Sequence, residues 1–160
     1  MDFRILYAAI LTVLPFTELR AGLPIAITFA LDNNLPVFPV SFAIILLNIL
    51  VIFFVFWFLD NLHAFLIIKS KFYKSFFNKF LERFQKKVDI FERRYRAIGF
   101  IALVLFVAVP LPLTGAWSAS LISWILDLDR KKSILSISLG VIIAGILVFL
   151  GTLGIINLFS

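Results

Sequence analysis

The sequence predicts an all-α integral membrane protein made of two inverted repeats, each a re-entrant helical hairpin followed by one full transmembrane helix, with a basic amphipathic helix between them. Three observations predict it. Two long apolar runs carry no charge, two other apolar segments break at prolines near their middles, and the basic residues gather where they must share one side of a bilayer. With 62% hydrophobic residues the chain lies far above the roughly 45–50% apolar content of soluble domains. Its mean hydropathy is +1.10.

The first broken segment, residues 5–31, contains Glu18 and Arg20 within LPFTELRAGLP, between Pro15 and Pro24. Asp2 before Arg4, and the length of the run, argue against a cleaved signal peptide. The first full span is residues 35–59, uncharged throughout. About 20 helical residues cross a bilayer core of about 30 Å, so one pass uses this run fully. Residues 61–96 form the linker. Tyr73, Phe77, Phe80, Phe84, Val88, Phe91 and Tyr95 recur there at helical spacing, with Lys79, Arg83, Lys86, Lys87, Arg93 and Arg94 largely between them. Such a helix lies on an anionic leaflet or packs beneath the hairpins. The second broken segment, 97–126, is interrupted by Pro110 and Pro112, and the second full span is 133–158. All of it makes a single membrane domain, 1–160, with repeat 1 at 1–60 and repeat 2 at 97–160.

Charge sets the topology. Ten of the 15 Lys and Arg residues lie from Lys69 to Arg96, and Arg130-Lys131-Lys132 follows the second broken segment. A single crossing by residues 97–126 puts the two clusters on opposite sides, whereas basic loops collect in the cytoplasm. A hairpin entering and leaving by the cytoplasmic face satisfies both. Prolines that merely kink two long spans are the alternative. The same placement accounts for the net charge of +6 without nucleic acid.

The chain repeats itself at an offset of 97 residues. Leu14-Pro15-Phe16-Thr17 falls on Leu111-Pro112-Leu113-Thr114, Asp32 on Asp129, and Ser41 on Ser138. Opposite orientation of the halves makes them inverted copies, a plan in which broken helices line a substrate site near the midplane.

Candidate site residues follow from the two tips: Pro15, Thr17, Glu18, Arg20 and Pro24 in the first, Pro110, Pro112, Thr114, Gly115 and Trp117 in the second. A charge at membrane depth usually pairs, faces a cavity or serves a pathway. Residues two apart do not face each other on a helix, so Glu18 and Arg20 point to different partners. Pro15 and Thr17, like Pro112 and Thr114, mark helix starts, with Thr as the expected N-cap. Free amides there, with Arg20, suit a phosphate or carboxylate, and Glu18 is the expected proton carrier. An ion pair that only locks the tip is the alternative. Trp117 either stacks on substrate or packs in the core. Gly140, Gly145, Gly151 and Gly154 suggest close helix approach. His63 reads as an interfacial polar residue. The sequence offers no catalytic constellation, metal site, cofactor motif or cysteine, so the expected protein is not an enzyme, and ATP-driven transport requires a separate subunit.

PFTELRAGLPIAI, with PLPLTGAW about a hundred residues later, resembles the motif pair of the small multidrug export protein family of prokaryotes. The layout is also similar to the broader DedA and VTT-domain superfamily, whose members have two re-entrant hairpins and are implicated in moving lipids, polyprenyl phosphates among them. The resemblance implies that Glu18 and Arg20 are a membrane-embedded acid and base essential to transport. The second tip departs from the DedA pattern, with Gly115 opposite Glu18 and no acid or Arg of its own. The expected function is a multi-pass transporter of the cytoplasmic membrane that moves an anionic lipid or a drug-like molecule and associates with itself. A scaffold or assembly factor that transports nothing is the other reading.

Overall fold

The structure is a computed structural model, and it describes residues 3–69, 99–111 and 114–159. Most of the expected linker helix, and Pro112, lie outside the described residues. All regular structure among the described residues is α-helical: α1 (Arg4–Val13), α2 (Glu18–Asp32), α3 (Val37–Lys69), α4 (Gly99–Ala108), α5 (Ala116–Ile125) and α6 (Arg130–Phe159). Two of them are long and apolar enough to cross a membrane, over Val37–Leu62 and Arg130–Leu158.

α1 and α2 fold back on each other through the Pro15 turn. At the open end Arg4 pairs with Asp32 at 2.5 Å. Gly22 supplies the close approach, because a Cβ there meets the Thr12 hydroxyl at 1.9 Å and the Ala8 carbonyl at 2.5 Å. Pro24 sits inside α2 and lacks the amide that the Arg20 carbonyl expects from that position. α2 ends in a Schellman turn, Leu35 N–H to Ala30 O and Asn34 N–H to Leu31 O, with Asn34 left-handed at φ 53. α5 ends the same way, Leu128 N–H to Ser123 O and Asp127 N–H to Trp124 O, with Asp127 at φ 51. Equivalent turns are therefore 93 residues apart, one helical turn fewer than the 97 that aligns the tips. The Asp32 and Asp129 pairing of the sequence does not survive this shift: Asp32 closes α2, whereas Asp129 accepts the Lys132 amide at 3.0 Å and caps α6. That amide holds the Asp129 carboxyl below its usual range.

α3 runs through the expected end of its span to Lys69, since neither Gly nor Pro interrupts residues 40–69. α6 starts at Arg130, three residues ahead of the expected span, because Asp129 supplies its cap. The two long helices are antiparallel. Phe38 meets Phe149 at one end, with ring centroids 5.4 Å apart, and Asp60 meets Arg130 at 2.7 Å at the other. The basic start of α6 thus shares an end with Asp60 of α3. There the Trp124 indole also donates to Asp60, at 2.9 Å, and Arg130 lies over the Phe56 ring. Two apolar clusters fill the interior, one joining α3 and α6 to α4 and α5, the other joining them to α1 and α2.

Candidate functional site

The two proline turns meet between the long helices. Leu19, beside Glu18, approaches the side of α6 where Gly145 faces Ile45 of α3. From Val37–Leu62 and Arg130–Leu158, that level is close to the middle of both apolar spans. Glu18 is buried and lies across the gap on the other turn. Its Oε2 accepts the Ala116 amide at 3.2 Å and its Oε1 the Trp117 amide at 3.1 Å. The carboxylate is therefore the N-terminal cap of α5, supplied by a different helix pair, where the positive end of the helix favours an anion. Gly115 makes this seat. A Cβ there falls 1.3 Å from Oε2 and 2.2 Å from Cδ of Glu18, so any other residue occupies the space of the carboxylate. Glu18 also has a left-handed backbone, φ 49, which for a residue with a Cβ costs roughly 1–2 kcal/mol. Such strain persists when surrounding contacts over-determine it, and the two amide bonds are contacts of that kind.

Arg20 reaches the same turn. Its Nη2 donates to the Thr114 hydroxyl at 2.8 Å and to the Val109 carbonyl at 3.4 Å. Glu18 and Arg20 thus have different partners, and the ion pairs among the described residues, Arg4–Asp32, Arg130–Asp60 and Lys132–Asp129, include neither. Thr114 in turn donates to Val109 and Leu111 carbonyls. Gly115 and Trp117 join Glu18, Arg20 and Thr114 in one contact zone. Pro15 is half-buried in the first turn, and Pro110 is exposed at the end of α4.

Thr17 takes the N-cap position of α2 but makes no capping bond. Its hydroxyl donates back to the Leu11 carbonyl at 2.6 Å instead. The reason lies at the end of α1, whose last carbonyls have no helical donor. Leu11 receives Thr17, Thr12 receives the Asn48 side-chain amide at 3.0 Å, and Val13 receives the Trp117 indole at 2.9 Å. Backbone carbonyls left unpaired in this way need a donor, and three side chains from three elements supply it. Trp117 both packs, edge-on to Phe54 at 6.2 Å, and bonds. Gly140 faces Val107 and the Val104 carbonyl, and Gly145 faces Ile45, whereas Gly151 and Gly154 face open space, so only the first two bring helices close.

Asn48 is the residue that the sequence reading missed. Its signal was present: a primary amide alone in an uncharged span. Replacing it with Leu leaves the Thr12 carbonyl buried without a donor, an expected loss of about 1–3 kcal/mol. Ser41→Ala on the same helix removes a hydroxyl that has no hydrogen-bond partner and is expected to be neutral. Thermal unfolding of the detergent-solubilised variants checks the contrast.

Among the described residues no group of three or more His, Cys, Asp or Glu side chains is placed to hold a metal. No curated protein sequence and no solved structure matches the chain. Residues 18–147, which include Glu18, Arg20 and the second turn that both of them reach, match the family model described as "Putative small multi-drug export protein", and the chain, with its two apolar helices, is a membrane protein belonging to that family.

Proposed function

We propose that the protein is a proton-coupled transporter of the cytoplasmic membrane, without a catalytic step of its own, that carries its substrate past two opposed hairpin tips. In this reading α1–α2 and α4–α5 are re-entrant hairpins, α3 and α6 cross the bilayer in opposite directions, and the basic ends face the cytoplasm. The observation that carries it is the exchange of groups between tips: the acid and the base of the first both engage the second.

The same contacts support inverted repeats. Arg20 and Trp117 are 97 residues apart, and each donates a side-chain N–H to a carbonyl at the end of the first helix of the opposite pair, Val109 for Arg20 and Val13 for Trp117. Glu18 touches its own repeat partner Gly115, as a position near a two-fold axis does. A carboxylate at both positions would set two anions in one seat, which accounts for the glycine.

Arg20 makes its hydrogen bonds to neutral groups alone, with the Glu18 carboxylate acting on it only through space, which supports a substrate with an anionic head, a lipid phosphate or an acidic drug-like molecule. The lipid-phosphate choice also draws on the resemblance to the DedA and VTT-domain layout. Glu18, buried where the tips meet, is the proton carrier: its neutral form gives up the charge that binds it to the α5 amides, and the tips part. The bilayer is the first partner, and a second copy of the chain the next. The closed polar network at the tips favours one competing reading, a scaffold whose charges only lock the fold.

Reconstitution decides between them. Wild-type protein in liposomes is expected to move a labelled polyprenyl phosphate at a rate that depends on the pH gradient, and Glu18→Gln and Arg20→Ala to abolish movement while remaining folded. Transport by Glu18→Gln at the wild-type rate, indifferent to pH, removes proton coupling. Absence of flux in wild type for both lipid-phosphate and drug probes, with both variants destabilised, establishes the scaffold.

A further inference from the structure

α5 buries a stripe of small residues, Ala116, Ala119, Ser120 and Ser123, and its alanines share a cluster with Phe56, Val107 and Ile137. Within this apolar packing the hydroxyls of Ser120 and Ser123, on residues 0% and 1% exposed, have no hydrogen-bond partner among the protein atoms. On α6 the buried Ser133 and Ser136 donate instead to the Asp129 and Lys132 carbonyls one turn back. Serines in these helices can satisfy themselves locally. Ser120 and Ser123 on α5, like Ser41 alone on α3, do not, and a buried polar group without a protein partner commonly has an ordered water.

Their position on the helix is informative. α5 begins at the Glu18 carboxylate, which holds the amides of Ala116 and Trp117, and near its end the Trp124 indole donates to Asp60. Asp60 and its partner Arg130 are about half exposed, with side-chain exposures of 46% and 48%. From Ala116 to Trp124 the helix rises about 12 Å, and Ser120 and Ser123 stand about 6 and 10 Å along it. The rises from Ala116 to Ser120 and from Ser120 to Ser123 are each about what one or two bridging waters span. One end of the stripe is thus the buried acid, and the other is the water-accessible Asp60.

We propose that Ser120 and Ser123 hold a short water chain that conducts protons between the Asp60 end and Glu18. The inference rests on the reading of Glu18 as proton carrier. In one passage a hydronium at the Asp60 end gives up a proton, each water or hydroxyl oxygen takes one and releases another, and the last binds a Glu18 oxygen. One hydronium becomes water and one carboxylate becomes a carboxylic acid, with no change in oxidation state. The charged groups around the path are Arg20 on the hairpin of Glu18, Asp60 on α3 and Arg130 on α6; the described part of α4 has none.

The test follows Glu18 directly. Full-length protein is reconstituted in phosphatidylethanolamine and phosphatidylglycerol vesicles, and time-resolved infrared spectra after a pH jump record the carboxylic acid band that is lost in Glu18→Gln. The Ser120→Ala/Ser123→Ala variant is expected to protonate Glu18 at least about tenfold more slowly, with an unchanged or raised unfolding temperature, because it loses only hydroxyls that no protein group holds. Ser123→Val against Ser123→Thr, alike in shape, repeats the comparison, and Thr is expected to keep the rate. Wild-type rates in the alanine and valine variants, with the band still absent from Glu18→Gln, overturn the water chain and leave Glu18 as carrier. A band unchanged in Glu18→Gln overturns both.

Discussion

Gly115→Ala is expected to inactivate the protein by expelling Glu18 from its seat. The backbone of Gly115, φ -99 and ψ -158, is open to any residue, so the substitution acts only through its new methyl group. That group falls 1.3 Å from Oε2, far inside contact distance, and the carboxylate must leave. Two charge-assisted hydrogen bonds go with it, each worth about 1.5–3 kcal/mol. The displaced anion then lacks the α5 amides, and the amides themselves lose their acceptor. A destabilisation of about 3–5 kcal/mol is expected, typical of removing one partner of a buried charged pair. Because the loss runs through Glu18, Gly115→Ala combined with Glu18→Gly should cost much less than the sum of the two single changes. Unfolding in detergent measures all four proteins of the cycle. Strict additivity, or a Gly115→Ala protein as stable and active as wild type, shows that the contact between tips does not form in the working molecule.

Substitutions of Glu18 itself separate its backbone from its carboxylate. Glu18→Ala and Glu18→Gly both uncap α5, leaving the Ala116 and Trp117 amides unpaired at an expected cost of about 1–3 kcal/mol each. They differ at φ 49, where alanine keeps the left-handed strain and glycine has none. Glycine, ordinarily the poorer helix residue, is therefore expected to be the more stable variant by about 1 kcal/mol. Glu18→Gln keeps an acceptor oxygen for one amide and falls between wild type and Gly. The expected order of thermal midpoints is wild type, Gln, Gly, Ala. Alanine above glycine indicates that Glu18 is helical in the protein and that the cap is not formed by a strained residue.

Some of this arrangement was legible in the sequence, for identifiable reasons. The uncharged runs show as helices because length and hydropathy act locally. The breaks at Pro15 and Pro110 follow from the missing amide and fixed φ of proline. Separate partners for Glu18 and Arg20 follow from helix geometry, since side chains two residues apart point different ways. Thr17 is a different case. Its residue type indicates an N-cap, but the uncapped end of α1 competes for the hydroxyl, and that competition exists only once the chain has folded back.

By itself, the sequence determined the two membrane-length helices, the places where the other two apolar segments break, and which few polar groups stand in the apolar segments. These are properties of hydropathy, proline stereochemistry and charge, and they require no neighbour. Tertiary structure alone decided that Glu18 caps α5 and that Gly115 is bare to admit it. It also decided that Asn48 completes the end of α1 from another helix. Each of those roles depends on a backbone group left unpaired by one element and reached by a side chain from another, at distances along the chain that no local pattern encodes.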